Sequence, residues 1–200
     1  MERDFIHTKI AEALGKRAFL AEGSDEAYRL FNSAGDGIDG LIVDRYGGYC
    51  LMQFFREDMD PIADSVRDAL LACSPGFPVR GILLKRRMKS DCADPQTEYM
   101  SELLHGELPP ADMTVRQNGI LMKVDLVRGM NTGLFLDMRG IRERLASLYA
   151  GKAPARVLNL FCYTGAFSVH ALKNGSSSCI NVDTSRTVLG RAMENYRVNG

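Results

Sequence analysis

ARVLNLF at 155–161 is almost continuously apolar, and SCINVDT at 178–184 is a second short strand-like stretch. Runs of that length, rich in Val, Leu and Ile, read as buried strands, the habit of parallel sheets. A parallel pair cannot be closed by a tight turn and needs a crossover of a dozen or more residues. The intervening YTGAFSVHALKNG supplies one as a helix. A second helix, SRTVLGRAMENYRVNG, follows with Ser185 as candidate N-cap. Before the first strand, RGIRERLASLY at 139–149 is an amphipathic helix whose Ile141, Leu145 and Leu148 share a face. This order predicts a βαβα segment, the opening part of a doubly wound α/β sheet.

The upstream sequence has another period. Residues 4–21 predict a helix, with Phe5, Ile6, Ile10, Ala13, Leu14 and Ala18 at three- and four-residue steps. YRLFN is a short strand, SAGDGIDG a turn, and LIVDRYG and YCLMQFF form a hairpin about Gly47-Gly48. Asp60-Pro61 opens a helix running to about Cys73, Asp60 capping it and Pro61 at the first position. RGILLKRR is a further strand, and MTVRQ and ILMKVDL flank an Asn118-Gly119 hairpin turn. The expected domains are a connecting helix over 1–27, a small α+β unit over 28–126, and the α/β segment over 127–200.

In such sheets ligands bind at the carboxyl ends of the strands. Here that end is the loop Cys162–Gly165, where Gly165 lets the backbone approach a ligand. Asp183, eighteen residues beyond Gly165, stands at the end of the next strand, where a carboxylate can take both hydroxyls of a ribose. A dinucleotide loop wants GxGxxG. This loop has one glycine, and Phe161 and Tyr163 would crowd a pyrophosphate, so a phosphate-free adenosine cofactor, S-adenosylmethionine, fits better. Just upstream, Thr132, Gly133, Phe135, Asp137 and Arg139 lie in NTGLFLDMR. Asp137 and Arg139 could grip the amino and carboxylate ends of an amino acid, or Asp137 could simply cap the next helix.

Other chemistry is excluded more easily. Five cysteines, at 50, 73, 92, 162 and 179, form no CxxC, and His7, His105 and His170 are scattered, so free thiols and no metal are expected. Lys plus Arg and Asp plus Glu both total 25, so any basic surface is local. The run Arg80, Lys85, Arg86, Arg87, Lys89 could contact phosphates or guard a solvated edge strand, Lys85 and Arg87 on one face and Arg86 opposite. The charged start MERDFIHTKI and the short apolar runs predict neither secretory signal nor membrane span, and a cytoplasmic location.

TGLFLDMR, VLNLFCYTGAFSVHAL and VDTS, taken together and in that order, closely resemble the SAM-dependent ribosomal RNA methyltransferases related to the 23S rRNA cytosine-C5 enzymes. SAGDGIDGLIVDRYG is similar to the opening of that family's central α+β domain, and TGLFLD is also similar to a guanine-N7 methyltransferase half. The resemblance runs from about Tyr28 to Gly200. It implies a Rossmann-like methyltransferase sheet, S-adenosylmethionine as cofactor and ribosomal RNA as partner. It implies that Asn159, Phe161, Tyr163, Thr164 and Gly165 form the first cofactor motif. Asp183 is then the ribose acid with Thr184 beside it, and Thr132 through Arg139, including Phe135, Asp137 and Arg139, close over the methionine end.

The family pattern also holds parts not found here: an N-terminal PUA domain, a DPP-type catalytic motif on the fourth strand, and a later cysteine nucleophile. Cys162 lies in the cofactor loop with nothing basic beside it and is not expected to be that nucleophile. No catalytic residue is therefore assigned, the chain is expected not to methylate RNA alone, and an apolar sheet edge at 155–161 is expected to invite homodimers. A non-catalytic RNA-binding module and half of a nucleotide-dependent oxidoreductase are the rival readings.

Overall fold

The computed structural model describes residues 2–73, 75–88, 99–149 and 156–200. Cys92, Lys89 and Ala155, to which the sequence assigned roles, lie outside the described residues. The chain packs as two units, Met1–Ala111 with Asp125–Thr132, and Asp112–Val124 with Gly133–Gly200.

The first unit begins with α1 (Arg3–Lys16) and the single turn α2 (Ala18–Ala21). The one helix expected over 4–21 is thus broken at Arg17, whose guanidinium turns back to the Ala13 carbonyl and to buried Asp36. Strands β1 (Ala27–Asn32), β2 (Leu41–Tyr46) and β3 (Tyr49–Phe54) run antiparallel, with Tyr46 opposite Tyr49 across the Gly-Gly turn. Helix α3 (Ala63–Ala72) carries the chain across to β4 (Gly81–Arg86), which pairs parallel to β3. Strand β5 (Glu102–Gly106) closes the sheet in the order β1-β2-β3-β4-β5. Ile6, Ile10 and Ala13 of α1 and Val66, Ala69 and Leu70 of α3 share one buried core with the sheet's Leu30, Val43, Met52 and Leu84.

Two expectations fail here. The α-helix starts at Ala63, not at Asp60 or Pro61, because Glu57–Ile62 forms a 3-10 turn and the Asp60 carboxylate accepts from Arg86 Nε at 2.8 Å instead of capping. The basic run is not a solvated edge, because β4 lies between β3 and β5. Lys85 is wholly buried and donates to the Gly129 carbonyl at 2.8 Å. Arg80 pairs with Glu107, and Arg86 pairs with Asp60 and Glu102.

In the second unit, β6 (Thr114–Gln117) and β7 (Ile120–Lys123) form the expected hairpin, Asn118 and Gly119 both at positive φ as a type I′ turn requires. Helix α4 (Arg139–Tyr149) leads to β8 (Arg156–Leu160), α5 (Ala166–Lys173), β9 (Ser178–Val182) and α6 (Arg186–Asn199). β8 and β9 pair in parallel, Arg156 opposite Ser178 and Leu160 opposite Val182, as their sequences predict. Ser185 caps α6, its Oγ accepting from Val188 N. The hairpin belongs to this unit by packing. Asn195 Oδ1 accepts from Lys123 N at 2.8 Å, and Asn199 both accepts from Leu121 N and donates to its carbonyl.

The strands are not buried on both faces as expected. Asn159 and Asn181 turn toward α5, both bonding Ser168, while Leu158, Leu160, Ile180 and Val182 are 48–65% exposed. The face of α4 also departs from expectation: Ile141 and Leu148 are about half exposed, and Arg142 is buried. Among the described residues no helix is long and apolar enough to cross a membrane, and no group of three metal-ligating side chains occurs.

Candidate functional site

β8 runs directly into a tight turn and then α5. Within that turn Phe161, Tyr163 and Gly165 all have positive φ (55°, 50° and 76°). Such backbone is unfavourable for aromatic residues and tends to persist where surrounding bonds fix it. Those bonds are present. Cys162 N donates to the Val182 carbonyl at 3.1 Å, and Gly165 N to the Cys162 carbonyl at 2.9 Å. Tyr163 N donates to Asp183 Oδ2 at 3.0 Å. Thr164 is buried, its hydroxyl on the Gly133 carbonyl at 2.6 Å and its carbonyl receiving Asn195 Nδ2.

Asp183 therefore joins the ends of the two parallel strands. Its other oxygen accepts from Ser185 N at 3.0 Å. These N–H groups, Ser185 first and then Tyr163, with Thr184 N beside them, hold its carboxyl below the ordinary range, so it is ionised at neutral pH. Gly165 has little room for a side chain. A Cβ there would meet the Ala192 Cβ of α6 at 3.2 Å.

A cleft of about 90 Å³ opens beside this turn, lined on one side by Phe161, Cys162, Tyr163 and Phe167 and on the other by Phe135, Met138 and Arg142. The Phe135 and Tyr163 rings sit 4.9 Å apart between centroids. Phe161 projects almost free, 87% exposed. Cys162 is buried, and burial followed by the nearby Asp183 charge pushes its thiol pKa up, so it stays protonated at neutral pH.

The structure gathers Phe135, Phe161, Tyr163 and Thr164 around this cleft, with Gly165 at the start of α5 and Asp183 behind the turn. Asn159 lies one layer deeper, its amide donating to Ser168 Oγ at 2.9 Å. Thr184 is exposed next to Asp183. Three others are placed differently. Thr132 belongs to the first unit, buried, sharing a 2.9 Å hydrogen bond with the Tyr46 hydroxyl. Asp137 is exposed on the 3-10 turn Leu136–Met138. Arg139, partly exposed, pairs with Glu143 at 3.7 Å.

Arg142, which sequence reasoning missed, lies in the cleft wall and is 1% exposed. Its Nη2 donates to Gln117 Oε1 and, at 3.2 Å, to the Phe135 carbonyl, and its guanidinium lies 5.7 Å from the Phe167 ring centre. Its Nε is buried and makes no hydrogen bond among the described residues. The missed signal is its spacing: it stands four residues after Met138, which ends the preceding 3-10 turn and also lines the cleft.

Comparisons with known proteins bear on this site. Residues 29–200 match the model of the S-adenosylmethionine-dependent methyltransferase family. The "Ribosomal RNA large subunit methyltransferase I" of Aliivibrio fischeri is 34% identical over 203 residues, covering 100% of this chain and 49% of that protein. The Shewanella amazonensis protein of the same name is 35% identical over 205 residues, again covering 100% and 49%. The crystal structure of SMU.776, a candidate methyltransferase complexed with SAH, matches with a TM-score of 0.86 at 29% identity, covering 100% of this chain and 49% of that one. The chain thus spans about half the length of the curated relatives it matches.

Proposed function

Because this chain belongs to the S-adenosylmethionine-dependent methyltransferase family, we propose that the turn Phe161–Gly165 and Asp183 hold that cofactor, for methyl transfer to a base of large-subunit ribosomal RNA. The observation that carries the reading is Asp183, drawn onto the turn at the carboxyl ends of two parallel strands. A carboxylate has about four lone-pair sites. The backbone N–H groups of Ser185 and Tyr163, with Thr184 N beside them, occupy up to three, leaving at least one for a ribose hydroxyl. The residues present suit a cofactor without phosphates, since Phe161 and Tyr163 stand where a pyrophosphate would need bare backbone, and aromatic rings line the cleft. When bound, the cofactor supplies a methyl group on a sulfonium centre. The chain's own part is to orient it and keep water from the apolar cleft.

The RNA substrate follows from the relatives' names, and the α+β unit is the side we assign to RNA on family resemblance. The basic run 80–87 lends that assignment little, since Arg80, Lys85 and Arg86 are engaged internally. We further infer that two copies associate through β8, because Leu158, Leu160, Ile180 and Val182 form an exposed apolar strip on a two-stranded sheet. Sedimentation equilibrium tests this, and a monomer at 100 micromolar with Leu158→Lys unchanged refutes it.

The cofactor reading is tested by calorimetric titration with S-adenosylhomocysteine and, separately, NAD. Heat with the first alone is expected. Heat with NAD alone favours a dinucleotide site, and heat with neither overturns the cofactor assignment for this chain.

A further inference from the structure

We propose that Asn195 is a positioning residue for the cofactor turn, holding the peptide plane between Thr164 and Gly165 in the orientation the site needs. The proposal rests on the cofactor reading above and adds a buried side chain that acts through the turn.

The turn itself poses the problem. Tyr163 and Gly165 both have positive φ, 50° and 76°, with Thr164 between them. Backbone of that kind persists only where its surroundings keep it from relaxing. In a trans peptide the carbonyl and the N–H point opposite ways, so a plane bonded at both ends is kept from turning over. Gly165 N donates to the Cys162 carbonyl at 2.9 Å, a bond within the turn. The Thr164 carbonyl takes its bond from α6, from Asn195 Nδ2 at 2.9 Å.

Asn195 is wholly buried. While Nδ2 donates to the Thr164 carbonyl, Oδ1 accepts from Lys123 N at 2.8 Å. A carbonyl only accepts and a backbone N–H only donates, so the amide has one workable orientation and uses both ends. Its reach is short as well. Ala192, one turn earlier on the same face of α6, lies 3.2 Å from where a Gly165 Cβ would stand. Small residues at that contact bring α6 close enough for an Asn side chain to span the gap.

Asn199 supplies an internal comparison. One turn further along α6, it accepts from Leu121 N at 2.9 Å and donates to the Leu121 and Asn195 carbonyls, both at 2.7 Å. Both asparagines pin β7, and the bond to the turn belongs to Asn195.

The test separates affinity from stability. S-adenosylhomocysteine is titrated calorimetrically into the unaltered chain, Asn195→Ala, Asn199→Ala and Asn195→Asp, and the stability of each is read from urea unfolding. Both alanine variants should unfold at lower urea, each having lost buried hydrogen bonds. Asn195→Ala should also weaken the ligand roughly tenfold, because the freed plane relaxes and must be turned back on binding, while Asn199→Ala stays within about twofold. Asn195→Asp keeps the shape. Its neutral carboxyl donates to the Thr164 carbonyl as the amide does, and its ionised form has no proton to give. Burial raises such a carboxyl, so relative to the unaltered chain this variant should bind better at about pH 5 than at about pH 8. Measuring the unaltered chain at each pH removes the contributions of Asp183 and Cys162 at the turn, Lys123 on β7 and Arg191 on α6.

Equal loss of affinity in the two alanine variants would make the hairpin's support of the fold the cause, and the proposal falls. It falls also if Asn195→Ala loses stability but not affinity, or if Asn195→Asp keeps one ratio to the unaltered chain at both pH values. Should Asn195→Ala fail to fold, that ratio decides. A folded, unaltered chain that takes up no S-adenosylhomocysteine overturns the cofactor reading itself and this inference with it, a result distinct from all the others.

Discussion

Gly165 and Gly190 allow the physics of the turn to be measured by two substitutions of the same kind with opposite expected signs. Gly165 sits at φ +76°, where an L-residue such as Ala is disfavoured by about 1–2 kcal/mol. A Cβ there also lies 3.2 Å from the Ala192 Cβ, tighter than ordinary contact, so α5 and α6 must part slightly. Against these stands a gain of about 0.4–1 kcal/mol, because Ala has fewer unfolded conformations to lose. Gly165→Ala should therefore destabilise the fold by about 1 kcal/mol. Gly190 lies in exposed α6 with nothing within 4 Å of its would-be Cβ. There only the favourable side remains, and Gly190→Ala should stabilise by about 0.5–1 kcal/mol. With a urea slope of about 2 kcal/mol per molar, the two midpoints should move by roughly half a molar in opposite directions. Equilibrium urea unfolding followed by circular dichroism makes the measurement. Only Gly165→Ala should also weaken S-adenosylhomocysteine. Stabilisation by both substitutions would mean that the turn relaxes to ordinary backbone, and the case for a preformed site at Phe161–Gly165 would go with it.

Other outcomes follow from the same structure. Asp183→Ala should lower S-adenosylhomocysteine affinity roughly ten- to a hundredfold by titration calorimetry, from lost charged hydrogen bonds. Because the Asp183 pKa is depressed in the fold, its stabilising effect is present at neutral pH and lost as pH falls through the folded value, so Asp183→Asn should flatten the acid limb of stability against pH. Burial, followed by the Arg87 charge, pulls the Lys85 pKa down from 10.5 to about 8. The unfolded chain then binds more protons between those values, so stability should rise with pH across that window relative to Lys85→Met, and identical urea midpoints from pH 8 to 10 would count against it.

Much of the α/β segment was legible because its signals are local. Apolar runs of strand length, a crossover of helix length, Asn118-Gly119 and Gly47-Gly48 each act through the backbone of their own residues. The Gly165 and Asp183 spacing was legible for the same reason: a strand end fixes where each must stand. Features supplied by distant partners were hidden. Strand β5 is an exposed edge without apolar alternation and owes its form to β4. Asp60 had every mark of a cap until Arg86 claimed its carboxylate. On α4 the apolar stripe pointed to Ile141 and Leu148 as the buried face, yet Gln117 and the Phe135 carbonyl draw Arg142 inward. Thr132 carries the motif spelling but spends its hydroxyl on Tyr46.

The amide side chains of Asn195 and Asn199 give the open edge of β7 the partners that a third strand would otherwise provide. That arrangement has a consequence in time. A ribosome makes the hairpin long before it makes α6, for Leu121 and its partner Asn199 are 78 residues apart. At about 5–20 residues per second, the edge of β7 waits roughly 4–16 seconds for its cover. During that interval it is an unpaired strand edge, open to other nascent chains. Translation speed over residues 124–199, as much as the finished fold, therefore sets how often this hairpin is captured by the wrong neighbour.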